Sequence, residues 1–152
     1  MASDNAGRDD LTTSVGKFTF RVPRDLRYSD QEVWVKREDS RLRLGLTDHL
    51  QQSSGDVAFV EPAEVGKTLA PGDTLARIET IKTIVELPSP VAGRVASVNE
   101  ELGERPEVVN EDPYGAGWLV VLEDVSEEAT GLLDANAYSE LLKQKLVEEA
   151  GS

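Results

Sequence analysis

Apolar positions in this chain recur mostly in short alternating or clustered blocks of strand length, and shift to helical spacing near the C-terminus. Residues 17–22 (KFTFRV), 32–36 and 41–46 are such blocks, and a turn over 37–40 predicts that the last two pair. Residues 47–52 read as a short helix, with Thr47 as N-cap, Asp48 in the first turn and Gly55 as its stop. Further strands are predicted over 56–60, 74–79, 84–87, 94–99 and 118–122, punctuated by Gly66, Pro71–Gly72, Pro88 and Pro90. Residues 103–114 read as loop. Ser126 reads as the cap of a short helical turn stopped near Gly131. Asp134 then caps a longer helix whose Tyr138, Leu141, Leu142 and Leu146 form one apolar stripe. Many short strands followed by a helix predict a mainly β fold, a small sandwich or flattened barrel with helices outside. The domain plan is a polar, flexible segment over residues 1–16 and one domain over 17–150. Val65–Leu69 echoes Ala92–Ala96, each a glycine opening a strand after a proline-containing bend, which suggests two similar half-sheets.

Composition narrows the function. The 152 residues carry a formal net charge of −13, which disfavours nucleic acid and anionic lipid and favours partners with basic patches. The chain has no cysteine, so any redox chemistry must arrive on a cofactor. No window is apolar enough to span a membrane, and the N-terminal residues lack the apolar core of a secretory signal, so a cytoplasmic location is expected.

Catalytic motifs are weak. The single histidine, His49, has no nucleophile elbow beside it and reads as a surface or partly packed residue. No histidine or cysteine pair suggests a metal, and the Glu100-Glu101 and Glu111-Asp112 pairs read as solvated charge. Lys82 stands apart. It sits in Thr80-Ile81-Lys82-Thr83, between two strand-like runs, in a segment short enough to be a hairpin tip. That tip holds no Gly, Asn, Asp or Pro, so turn propensity alone does not account for it. An exposed tip would present the amine to another protein's active site, with Glu79 three residues before it as a recognition handle.

These residues resemble the glycine cleavage H-protein family of lipoyl carriers over about residues 28–146. Glu79-Thr80-Ile81-Lys82-Thr83 is similar to the family's lipoyl-lysine segment, E-S-V-K-A. Gly66 and Gly93, sixteen residues before and eleven after Lys82, fall where lipoyl domains carry structural glycines. Gly45-Leu46-Thr47-Asp48 resembles G-I-T-D, and Leu133–Tyr138 resembles the family's terminal helix. The most specific signature is Val109-Asn110-Glu111-Asp112-Pro113-Tyr114-Gly115 followed by Gly117-Trp118-Leu119. Biotinyl domains favour methionines beside the lysine, whereas Ile81 and Thr83 flank it here. The chain also departs from the family. The H-E-W run is Glu32-Val33-Trp34, without the histidine, and Thr83-Ile84-Val85 is bulkier than the family's small residues.

The resemblance implies a lipoyl-domain-like barrel-sandwich hybrid. It implies lipoate in amide linkage on Lys82, with Glu79 read by the lipoate-attaching enzyme and no catalytic residue in the chain itself. It implies glycine decarboxylase, aminomethyltransferase and dihydrolipoyl dehydrogenase as partners, with an aminomethyl group as cargo. The alternative it implies is an H-like lipoate-binding protein of sulfur oxidation, serving a heterodisulfide-reductase-like complex and carrying sulfur intermediates.

Overall fold

The alternating runs fold as strands that lay two sheets over one core in the computed structural model, which describes residues 10–125 and 131–151. In chain order the strands are β1 (Asp10–Val15), β2 (Phe18–Pro23), β3 (Arg27–Tyr28), β4 (Val33–Glu38), β5 (Arg41–Leu46), β6 (Val57–Pro62), β7 (Thr68–Leu69), β8 (Thr74–Thr80), β9 (Ile84–Pro88), β10 (Gly93–Val98) and β11 (Val120–Glu123). The helices are α1 (Asp48–Ser54), α2 (Val108–Glu111) and α3 (Ala135–Gly151), with a 3₁₀ turn at Glu100–Gly103. A six-stranded sheet runs β3-β4-β5-β11-β10-β7, a three-stranded sheet runs β6-β8-β9, and β1 and β2 form a separate hairpin. Val60, Leu75, Ile78 and Leu87 of the small sheet pack against Val35, Leu44, Val95 and Leu122 of the large one. This is the mainly β, barrel-sandwich architecture expected from the sequence. The internal echo is a strand pair, for Gly93 lies opposite Leu69 and Arg94 opposite Thr68.

Three expectations are corrected. Residues 10–15 are not a flexible lead-in but β1, paired with β2 from Asp10↔Pro23 to Val15↔Phe18. Gly16, at φ 62, makes the tight turn between them. The inward positions of β1 are Leu11 and Thr13 rather than a large apolar run, so the alternation is muted; Thr13 is buried against Ser139 of α3 through paired hydroxyls. Residues 1–9 lie outside the described residues. The stretch 103–114 is not all loop, because Val108 and Val109 bury themselves by way of α2. The last strand begins at Val120, since the Trp118 carbonyl is turned to Asn99 Nδ2. The helical turn expected after Ser126 falls on residues 126–130, outside the described residues.

A second apolar cluster fills the space between the β1–β2 hairpin, the outer face of the large sheet and α3. Its centre explains why distant sequence motifs occur together. Trp34 donates Nε1–H to the Pro113 carbonyl at 2.9 Å. Its ring covers Gly45, where an added Cβ would come within 2.6 Å of the indole. The Tyr114 hydroxyl accepts from Asp48 N–H at 2.9 Å and donates to the Arg21 carbonyl at 2.7 Å. Asp134 caps α3 as expected, its Oδ1 accepting from Ala137 N–H at 2.8 Å.

A buried carboxylate anchors this layer. Glu32 accepts from Thr47 Oγ1 at 2.6 Å and from the Tyr138 hydroxyl, with His49 Nδ1 at 3.3 Å and Lys145 Nζ at 3.6 Å. Burial alone would raise its pKa. Contacts with His49, Thr47 and Tyr138 outweigh burial and hold it down to about 2, against an ordinary 4.5. A carboxyl depressed in the folded state adds stability above its unfolded pKa and loses it as pH falls through the folded one. The advantage of wild type over Glu32→Gln in urea unfolding should therefore be constant above pH 5 and shrink by about 3 kcal/mol toward pH 2. A pH-independent difference would contradict this account of Glu32.

Candidate functional site

β8 and β9 pair with Glu79 opposite Ile84, so Thr80–Thr83 is the tip that joins them and Lys82 stands exposed on it. The tip solves its turn problem with a hydroxyl. Thr80 Oγ1 accepts from Lys82 N–H at 3.3 Å and from Thr83 N–H at 3.0 Å. Thr80 N–H donates to the Thr83 carbonyl at 2.8 Å, and Ile81 N–H to the Asp56 carbonyl at 3.1 Å. Each of the four backbone donors from Thr80 to Thr83 thus has a partner, and neither Ile81 nor Lys82 takes a positive φ. A threonine side chain that caps its own turn makes Gly or Asn unnecessary there.

The Asp56 carbonyl is itself held in place. Asn110 Oδ1 accepts from Val57 N–H at 2.8 Å, and its Nδ2 donates to the Gly55 carbonyl at 3.0 Å and to Gln51 Oε1 at 3.1 Å. One side chain from α2 therefore fixes the strand start that supports the lysine turn. Gly55 also makes room for Lys82. A Cβ there would meet Lys82 Cε at 3.3 Å, and the residue's φ of 91° favours glycine.

Around the amine the surface is apolar and acidic. Phe59 and Ile84 lie opposite Glu79 on either side, and they face outward because Ile78 and Val60 point to the core. Phe59 is 50% exposed, Ile84 53% and Ile81, next to the lysine, 76%. Lys82 Nζ makes no hydrogen bond or ion pair among the described residues. On the other side of the turn, Lys82 borders a cleft of about 350 Å³ together with Phe18, Phe20, His49, Gln52, Ser53 and Leu146.

The structure brings together some of the residues singled out in the sequence. Glu79 is at the base of the lysine turn. Gly66 and Gly93 are not at the turn; they belong to the β7–β10 pairing in the other sheet. Gly66 has φ 92 and donates its N–H to the Val95 carbonyl at 2.8 Å, and a Cβ on Gly93 would press on Leu122 and the Glu123 carbonyl at 3.2 Å. His49 is partly packed, as expected, against Phe20 and Glu32. Thr80 and Asn110 are the functional residues that sequence reasoning missed. Both lie inside the quoted motifs, and the signal was a turn without turn residues and an asparagine that no helix interior requires.

The model of the family described as "Glycine cleavage H-protein" matches residues 26–145. The chain is 42% identical over 125 residues to the glycine cleavage system H protein of Anoxybacillus flavithermus, covering 81% of this chain and 98% of that protein. It is 41% identical over 122 residues to the glycine cleavage system H protein of Listeria monocytogenes, covering 80% of this chain and 98% of that one. Among solved structures, a glycine cleavage system H protein from Mycobacterium marinum superposes with a TM-score of 0.73 at 31% identity, covering 80% of this chain and 99% of that chain.

If the hydroxyl and amide clamps shape the turn, Thr80→Val and Asn110→Ala should each cost about 1–3 kcal/mol in denaturant unfolding and speed amide exchange at Ile81, Lys82 or Thr83. Thr80→Ser should stay close to wild type. Unchanged exchange in both clamp variants would show that the turn is held by other means.

Proposed function

The chain belongs to the glycine cleavage H-protein family, and from that premise we propose that it carries lipoate in amide linkage on Lys82. The cargo is an aminomethyl group, exchanged between glycine decarboxylase, aminomethyltransferase and dihydrolipoyl dehydrogenase. The observation that carries the reading is the unpaired amine of Lys82 at the apex of a turn whose backbone is fully hydrogen-bonded without it. The lysine has no structural task in that turn, and the turn holds it out.

The residues fit the group. The amine is exposed, its neighbours Ile81 and Ile84 are apolar, and Glu79 offers a charge for the lipoate-attaching enzyme to read. The absence of cysteine suits a disulfide cofactor, since no protein thiol competes for exchange. Lipoate supplies a disulfide that can be opened, loaded and closed again, and that chemistry is the cofactor's. The chain contributes the tether. Thr80 and Asn110 fix the attachment point, so each docking event becomes a reaction at high effective concentration. Gly66 and Gly93 shape the opposite sheet. The charge of −13 favours docking on basic partner surfaces, with association slowed by salt. A cytoplasmic location accords with this role, and among the described residues no helix is long and apolar enough to cross a membrane.

Reconstitution with the three partner enzymes tests the proposal. The lipoylated chain should support glycine decarboxylation, at a rate that falls with added salt. Lys82→Arg should keep its circular dichroism and melting temperature and lose the activity entirely. A lipoylated wild-type chain that supports no decarboxylation would reject the glycine-cleavage cargo and favour the sulfur-carrying alternative.

A further inference from the structure

The outer face of the small sheet carries a second hollow, separate from the cleft that Lys82 borders. Glu61 of β6 and Glu86 of β9 lie directly opposite Arg77 of the middle strand, one on either side. All three point outward, because their chain neighbours Val60, Ile78 and Leu87 are buried. Glu64 and Lys67 join them from the loop after β6, and Thr74 from the start of β8. These side chains line a cavity of about 420 Å³. The backbone around it is fixed. Ala63 N–H donates to the Leu75 carbonyl at 2.9 Å, and the Lys67 carbonyl accepts from Val95 N–H at 2.9 Å, which ties the loop to both sheets.

The charges of this hollow are not paired with one another. Opposite charges that face each other across neighbouring strands ordinarily attract and meet. Elsewhere on this chain Arg21, Arg41, Arg43, Arg94 and Arg105 each pair with a carboxylate. Arg77 has a glutamate on both neighbouring strands and pairs with neither. Among the described residues, Lys67, Glu61, Glu64 and Glu86 likewise make no ion pair and no side-chain hydrogen bond. Arg77 Nε is buried and has no hydrogen-bond partner. A donor buried in that way is costly to leave unmade, and a charged one more so.

We propose that this hollow binds a free amino acid with a basic side chain, its carboxylate on Arg77 and its two ammonium groups on the glutamates. The inference goes beyond the lipoyl reading and does not depend on it. The donors select the carboxylate. A guanidinium fork with unpaired N–H groups matches a carboxylate in shape and charge, and Lys67 lines the same cavity. The charge balance selects the amines. Glu61, Glu64 and Glu86 outnumber Lys67 and Arg77 by one, so a ligand with one net positive charge neutralises the site. A simple anion would meet three carboxylates, and a simple amine would leave Arg77 unpaired. The spacing fits as well. Glu61 and Glu86 stand two strand spacings apart, about 10 Å, with Arg77 midway, so amines at the two ends of one ligand can reach both. The cavity volume is that of a small-ligand pocket.

The comparison of lysine with cadaverine, which is lysine without its carboxylate, tests the site. The full unmodified chain is titrated with each, and the backbone amide NMR signals are followed. With lysine, the signals of Glu61, Arg77 and Glu86 should move and saturate. Lysine should bind about tenfold more tightly than cadaverine, as expected for one charge-assisted pair. Arg77→Gln, whose side chain has no partner in the fold, should remove that advantage and leave cadaverine binding as it was. Glu61→Gln should weaken both ligands. Absence of saturable shifts with lysine at about 10 mM overturns the site. Equal affinity of the wild-type chain for lysine and cadaverine also overturns it, since an acidic surface would then be reading charge alone. Should Arg77→Gln lose its circular dichroism, the wild-type comparison decides by itself.

Discussion

The site depends on how a four-residue hairpin tip satisfies its own backbone. A lysine that must be reachable cannot be buried, and a tip exposed to water is ordinarily its most mobile point. Here the hydroxyl of Thr80 accepts from the N–H groups of Lys82 and Thr83, and the Asp56 carbonyl accepts from that of Ile81. The turn therefore holds its shape without glycine and without a hydrogen bond from the lysine amine. Exposure and order are reconciled by hydrogen bonds made by the turn's backbone, none of which uses the amine.

The same logic spreads through the molecule. Asn110 holds residues 55–57, which hold Ile81, so a residue 28 positions after Lys82 bears on the lysine's presentation. Trp34 lies over Gly45 and bonds to Pro113, and Tyr114 reaches both Asp48 and Arg21. Glu32 stands where the family pattern has a histidine, and this chain surrounds it with Thr47, His49, Tyr138 and Lys145. The departure from the family is thereby absorbed as a buried charge with partners on α1 and α3. Burial, together with the Glu32 charge, raises the pKa of the Tyr138 hydroxyl and keeps it a donor to that carboxylate.

Much of this was legible from the residues. Period-two alternation located β5, and short apolar runs bounded by turn residues located β4, β8, β9 and β10. Capping chemistry located α1 and α3, since Thr47 and Asp134 each leave a side-chain oxygen over an open helix end. The motif around Lys82 located the tip. Part of what stayed hidden rests on small polar side chains that act through hydrogen bonds and leave no hydrophobic period. β1 turns Thr13 inward, and hydroxyl pairing leaves no hydrophobic period to detect. Thr80 and Asn110 act through backbone partners that no sequence spacing records. The cleft beside Lys82 draws on β2, α1, α3 and the hairpin tip, so only the folded chain shows it.

The central claim is that this fold presents one lysine out of six for acylation. It is tested most directly by peptide mapping of the whole chain recovered from cells that make lipoate. The account predicts a lipoyl group on Lys82 and none on Lys17, Lys36, Lys67, Lys143 or Lys145. A lipoyl group on any of those five, or an unmodified Lys82 in such cells, would contradict it.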